Sequence, residues 1–137
     1  MALAVELRVV IAKLSRRLRE QAQAGDLTSA QKSALLRLER DGPATVSALA
    51  RAESVRPQSM GATVALLEQA GLVSGSADPT DGRQTVISLT ALCRKRLKET
   101  RAAREDWLFR AMQAKLAPAD LAQLTAGVAV LERLADL

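Results

Sequence analysis

The chain has 137 residues, 48% of them hydrophobic, and its 20 Lys and Arg against 15 Asp and Glu leave a net charge of +5. The absence of histidine excludes Ser-His-Asp and Cys-His catalysis and any His-ligated metal site, and the lone Cys93 excludes an intramolecular disulfide, as in a reducing cytoplasm. With no signal segment and no apolar run near the roughly 20 residues of a membrane span, the expectation is a cytoplasmic protein without cofactor or metal, whose basic balance suits a polyanion such as nucleic acid or an acidic membrane surface.

Residues 3 to about 23 read as a helix. Leu3, Leu7, Val10, Leu14 and Leu18 recur at spacings of three and four and form one apolar stripe. Arg8, Lys13, Arg16, Arg17 and Arg19 cover its other faces, and Gly25 and Asp26 break it. Thr28 and Gln31 then match a capping box, in which the threonine accepts from the third helical N–H and the glutamine reaches back. Leu35, Leu36 and Leu38 continue that helix until Asp41-Gly42-Pro43 stops it, with the glycine as left-handed cap.

Thr45 can cap a short helix carrying Val46, Leu49 and Ala50. Glu53, Ser54 and Val55 form a tight turn, and Arg56 is a candidate first residue of the next helix, with Pro57 in the first turn, where a missing N–H is tolerated. Met60, Val64 and Leu67 line the inner face of that helix, and Gly71 ends it. Two short helices joined by a turn of three or four residues, the second with a polar leading end, are a helix-turn-helix signal.

Residues 72–77 and 84–89 are short extended segments, with Ile87 and Leu89 alternating as a half-buried strand requires. Between them Asp81-Gly82 predicts a two-residue hairpin turn, because both positions tolerate positive φ. A hairpin directly after a helix-turn-helix is where a winged helix carries its wing. A long helix follows from Thr90 to about Leu116, with Arg94, Lys95, Arg96 and Lys98 near its start and Trp107 and Phe109, the only two aromatics, further along. Pro118 opens a last helix, in which Leu121, Leu124, Val128 and Leu131 make a heptad-like seam. The predicted fold class is therefore mainly α with a small β-hairpin wing. A winged helix-turn-helix lobe covers about residues 28–90, and a helical dimerisation region covers about 3–23 and 91–136. A chain so short and so poor in large side chains borrows part of its core from a partner subunit.

The segments "VSALA", "VRPQSMGATVALLEQAGLV" and "DPTDGRQTVISLT", in that order, resemble the MarR family of bacterial transcription regulators. The Asp81-x-Arg83 pair in the wing is the family's most recognisable short signature. The resemblance implies a homodimer of winged helix-turn-helix lobes whose first and last helices intertwine. It places helix 56–70 in the major groove of double-stranded DNA and Arg83 in the adjacent minor groove. It also implies, in many relatives, release of DNA when a small aromatic or anionic effector binds between the dimer region and the lobe, and in some relatives oxidant sensing through a cysteine. Relatives often carry one arginine on the exposed face of the recognition helix and another in the first wing strand. Those places here read Ala62 and Gly75.

Arg83 carries the sharpest reading, since a guanidinium in a narrow minor groove gains from its concentrated negative potential. The alternative is a solvated arginine paired with Asp81. Asp81 and Gly82 shape the wing. Gln58 matches an adenine edge and Ser59 a base or phosphate. Gly61 and Ala62 permit close approach and contact with a thymine methyl, though small exposed residues are common on any helix. Thr45 and Ser47 sit at a helix start that suits a phosphate, where Thr45 can equally be a plain N-cap. Arg56 favours backbone contact or solvent, and the cluster Arg94 to Lys98 reads as a solvated face. Cys93 is either a redox switch, which requires a lowered pKa and access, or a small buried hydrophobe.

The functional expectation is a sequence-specific, effector-responsive repressor of transcription that reads a pseudo-palindromic operator. The main alternative is a winged-helix module binding protein or RNA, motivated by a recognition helix on which Arg56 and Glu68 cancel. Without a phosphate loop or a recognisable carboxylate pair, no enzyme is expected. Membrane association through the basic first helix is not expected either.

Overall fold

The structure, a computed structural model, describes residues 1–21 and 27–136. The predicted break at Gly25 and Asp26 and the last residues of the predicted first helix lie outside them. The chain divides into two compact units, one formed by residues 24–99 and the other by 1–23 with 100–137. Each is described by itself.

The central unit begins with α2 (Ser29–Asp41). Its capping box is closed: the Thr28 N–H donates to Gln31 Oε1 at 2.9 Å, and the Gln31 N–H donates to Thr28 Oγ1 at 3.1 Å. The helix ends at Gly42, with φ +88° and ψ −178°. That is a glycine-only extended region rather than the predicted left-handed helical cap, because the chain must leave α2 straight into a strand. This strand, β1 (Ala44–Thr45), is absent from the sequence reading. Two residues are too few to show a period, and only pairing with Ile87 and Val86 defines them.

The short helix α3 (Val46–Ala52) is capped by Thr45, whose Oγ1 accepts from the Ala48 N–H at 3.1 Å. It closes in a Schellman arrangement: the Val55 N–H reaches Ala50 O at 2.9 Å and the Ser54 N–H reaches Arg51 O at 3.2 Å. Ser54 takes φ +56° there, where glycine is the usual occupant. After the turn comes α4 (Pro57–Gln69), with Arg56 as an extended N-cap, not the first helical residue, and Pro57 in the first turn. Gly71, at φ +75°, closes α4 in the same way, with bonds from Gly71 to Glu68 and from Leu72 to Leu67.

β2 (Val73–Ala77) and β3 (Thr85–Leu89) form the hairpin, and the sheet order is β1-β3-β2, antiparallel throughout. Ala44 pairs with Ile87, and Val73 with Leu89. Thr90 joins sheet to helix: its hydroxyl donates to Gly71 O at 2.6 Å and accepts from the Cys93 N–H at 3.2 Å, which caps α5 (Ala91–Lys115). The core consists of Ala34, Leu35 and Leu38 from α2, Leu49 and Ala50 from α3, Met60, Val64 and Leu67 from α4, then Leu72, Val73, Ile87, Leu89 and Cys93. Each fully buried Leu, Ile or Val in this set contributes about 1.5–3 kcal/mol to holding the lobe together.

The other unit contains α1 (Ala2–Gln21), the part of α5 from Thr100 onward, and α6 (Pro118–Ala135). Within it the Arg104 Nε–H donates to Leu18 O at 3.2 Å, and the Ala117 N–H donates to Asp120 Oδ2 at 2.8 Å, opening α6. None of its described residues is buried. Val10, Ile11 and Leu14 of α1, Phe109 of α5, and Leu124, Val128 and Leu131 of α6 are all exposed in the single chain. No helix among the described residues is long and apolar enough to cross a membrane.

Candidate nucleic-acid interface

The helix-turn-helix is braced by a polar cluster that the sequence reading missed. Glu53, in the turn before α4, accepts from the Ser33 hydroxyl and from Arg37 Nη2 and Nε at 2.9 and 3.2 Å. Both partners lie on α2. The hydroxyl bond, and then the guanidinium, holds the Glu53 carboxyl below its ordinary value, and the same pair raises Arg37. Arg37 also lies 3.5 Å from Asp41. Only the fold brings positions 20 and 16 residues apart to Glu53. The sequence signal was weak: a lone glutamate in a turn opposite an Arg-rich helix. A shallow hollow of about 170 Å³ lies beside this cluster, with Val55 of the turn and Ser59, Met60 and Thr63 of α4 along one side.

On α4 the buried residues are Met60, Val64 and Leu67, while Gln58, Ser59 and Ala62 are exposed and Gly61 is half-buried. Gly61 has nothing within 4 Å of where a Cβ would stand, so its surroundings do not demand glycine. The Ser59 carbonyl accepts from the Thr63 hydroxyl at 3.1 Å, and the Ser59 residue is exposed. Arg56 is exposed at the N-cap and makes no side-chain cap bond. Thr45 is half-buried and used as the α3 cap, whereas Ser47, in the first turn of α3, is exposed.

The wing differs from the expected two-residue turn. The strands are joined by residues 78–84, closed by bonds from the Asp78 N–H to Gln84 O at 2.9 Å and from the Gln84 N–H to Asp81 O at 3.0 Å. Neither Asp81 nor Gly82 has positive φ. A longer loop relieves the demand for a mirror-image turn, and aspartate side chains supply its bonds instead. Asp78 Oδ1 accepts from the Thr80 N–H and hydroxyl at 3.0 and 2.9 Å, which lowers the Asp78 pKa. Asp81 Oδ1 accepts from the Arg83 N–H at 3.1 Å and from its Nε–H at 3.3 Å. The Arg83 side chain is nevertheless 92% exposed. At Gly75 in β2 a Cβ would stand 2.7 Å from the Thr85 methyl, so a cross-strand neighbour occupies the space an arginine would need.

Cys93 is 1% exposed, and burial raises its thiol pKa. A redox switch needs an accessible thiolate, and this cysteine is neither accessible nor easily ionised. It packs as a core residue. Arg94, Lys95, Arg96 and Lys98 are exposed at the start of α5, with Lys95 3.9 Å from Glu99.

Residues 27–85, which span the helix-turn-helix and most of the hairpin, match the model of the MarR family. An HTH-type transcriptional regulator of Mycobacterium tuberculosis is 38% identical over 106 residues, 77% of this chain and 74% of that protein. The chain belongs to the MarR family. Among solved structures, a Pseudomonas aeruginosa protein described as a candidate transcriptional regulator is 39% identical and superposes with a TM-score of 0.85 over 99% of this chain and 95% of its own. A mutant of S. aureus MepR, solved bound to an oligodeoxyribonucleotide, is similar in fold, with a TM-score of 0.75 at 19% identity over 98% of this chain and 99% of its own. As a MarR-family member the protein is a transcriptional regulator and not an enzyme.

Proposed function

We propose that this MarR-family protein is a homodimeric repressor that binds a pseudo-palindromic operator in double-stranded DNA and is released by a small aromatic or anionic effector. The observation that supports it is the winged lobe, where α4 turns its apolar residues inward and leaves its outer face open, followed by a hairpin that projects Arg83 into solvent. In this reading α4 enters the major groove with Gln58, Ser59, Gly61 and Ala62 at the base edges. Arg83 enters the minor groove, and Thr45, Ser47 and Arg56 meet the phosphates. Asp81 holds Arg83 by its backbone and guanidinium. Residues 3–23 and 91–136 supply the dimer contact, which covers the apolar side chains left open in the single chain. Two lobes about one DNA turn apart would read a site of roughly 16–20 base pairs. An effector acts by binding a different dimer arrangement more tightly, so that the DNA-competent population falls.

The test is selection of bound duplexes by the purified chain, followed by a salt titration of the winner. Replacing Arg83 with Ala should weaken binding to all duplexes and flatten the salt slope by about one. An unchanged slope removes Arg83 from the interface. The absence of any cation on the outer face of α4 favours a second reading, a module that binds protein or RNA. That reading requires no salt-dependent duplex retention at all.

A further inference from the structure

At about 100° per residue, Gln58, Ser59, Ala62, Ala65, Leu66 and Gln69 fall within one arc of about 120° on α4. All six are exposed, and Leu66 is 53% exposed. The opposite side holds the buried Met60, Val64 and Leu67. The open arc therefore carries two amides, one hydroxyl and three apolar side chains, with no charge. Glu68 lies outside it, its carboxylate near Gly75 of β2. Arg56 stands ahead of the first turn at the N-cap, where a phosphate is the natural partner.

Resting on the DNA-binding reading above, we infer that α4 reads A·T-rich half-sites through adenine edges and thymine methyl groups. The commonest guanine contact is a bidentate Arg or Lys on O6 and N7, and this face offers neither. Gln58 and Gln69 have amides that match adenine N6 and N7. Ala62, Ala65 and Leu66 present apolar surface, which matches the thymine C5-methyl, the one apolar group on a base edge in the major groove. Leu66 is half exposed in the free protein, so covering it against a methyl removes apolar area from water on both sides. A face that gains little from phosphate charge thus draws its selectivity from shape and methyl contact, and the salt-dependent part of binding comes from the wing and Arg56.

The test selects duplexes from a random-sequence library with the full chain. The winner is then remade with deoxyuridine in place of thymine at the half-site steps, which removes only the methyl. A·T pairs should dominate those steps, and each contacted methyl removed should weaken binding about fourfold. Leu66→Ala should narrow the thymine–uracil difference without changing the salt slope, and this exposed site should tolerate the change in folding. Ala62→Arg should shift the selected steps toward G·C and steepen the slope by about one. Guanine at the selected steps, or equal binding of the uracil duplex, overturns the inference while leaving the DNA-binding reading in place. If no duplex is retained at low salt, both fail.

Discussion

Residues 27–99 and the helices outside them solve the same problem in different ways. The lobe buries thirteen hydrophobic residues from three helices, the sheet and the start of α5 within one chain. The helices α1 and α6, of 20 and 18 residues, bury none, although α1 carries a regular apolar stripe. The difference lies in layering. A sheet with helices packed on it encloses a core, whereas a few long helices in one chain leave part of each stripe open. What this teaches is that the lobe encloses its core within one chain, while the described residues of the terminal helices leave their apolar side chains open.

The strongest way to break that contrast is Val128→Glu in α6, where the side chain is 46% exposed in one chain. The unchanged protein should sediment as a dimer and the variant as a monomer at micromolar concentration, since two buried, unpaired carboxylates per dimer cost several kcal/mol. A variant that still sediments as a dimer would move the contact elsewhere. Within the lobe, Leu67→Ala, at 0% exposure, should lower stability by about 2–5 kcal/mol in urea denaturation, independently of protein concentration.

The polar brace gives a smaller, pH-dependent effect. The Glu53 carboxyl is held below its ordinary value of 4.5. A lowered folded-state pKa means that its contribution is whole above that ordinary value and drains away as pH falls through the folded one. Glu53→Gln should therefore cost about 1 kcal/mol near neutral pH and should shrink the acid loss of stability measured by denaturation at a series of pH values. An unchanged acid limb would show the brace to be energetically silent. Ser54→Gly should raise stability by about 0.5–1 kcal/mol, because the left-handed turn then carries no Cβ penalty. Smallest of all, Arg83→Ala should leave the melting temperature within the effect of about 0.5 kcal/mol typical of a surface change, since its ion pair with Asp81 is solvent-exposed. A large shift there would make the wing tip a structural element.

Much of the lobe was legible from local rules. The capping box at Thr28, the Thr45 cap, the Met60-Val64-Leu67 face and the alternation of Ile87 and Leu89 are statements about neighbours one to four positions away, and periodicity reports these directly. β1 was not legible, because two residues carry no period and become a strand only when Ile87 and Val86 lie beside them. The wing turn was misread because Asp81-Gly82 suits a two-residue turn by itself. The Asp78 and Asp81 side chains instead stabilise a seven-residue loop with ordinary φ at both positions. The Ser33-Arg37-Glu53 brace was missed because its members are remote in sequence.

By itself, the sequence determined roughly where the helices of the lobe lie and which of their faces are apolar, because these depend on side-chain type and short spacing. Only the tertiary structure decided that Cys93 is core, that Arg83 stands open while tied to Asp81, that Gly75 leaves room for Thr85, and that the outer face of α4 is exposed without a single charge. Each of those depends on what a residue meets across the fold, and burial and contact between distant positions arise only when the chain has closed on itself.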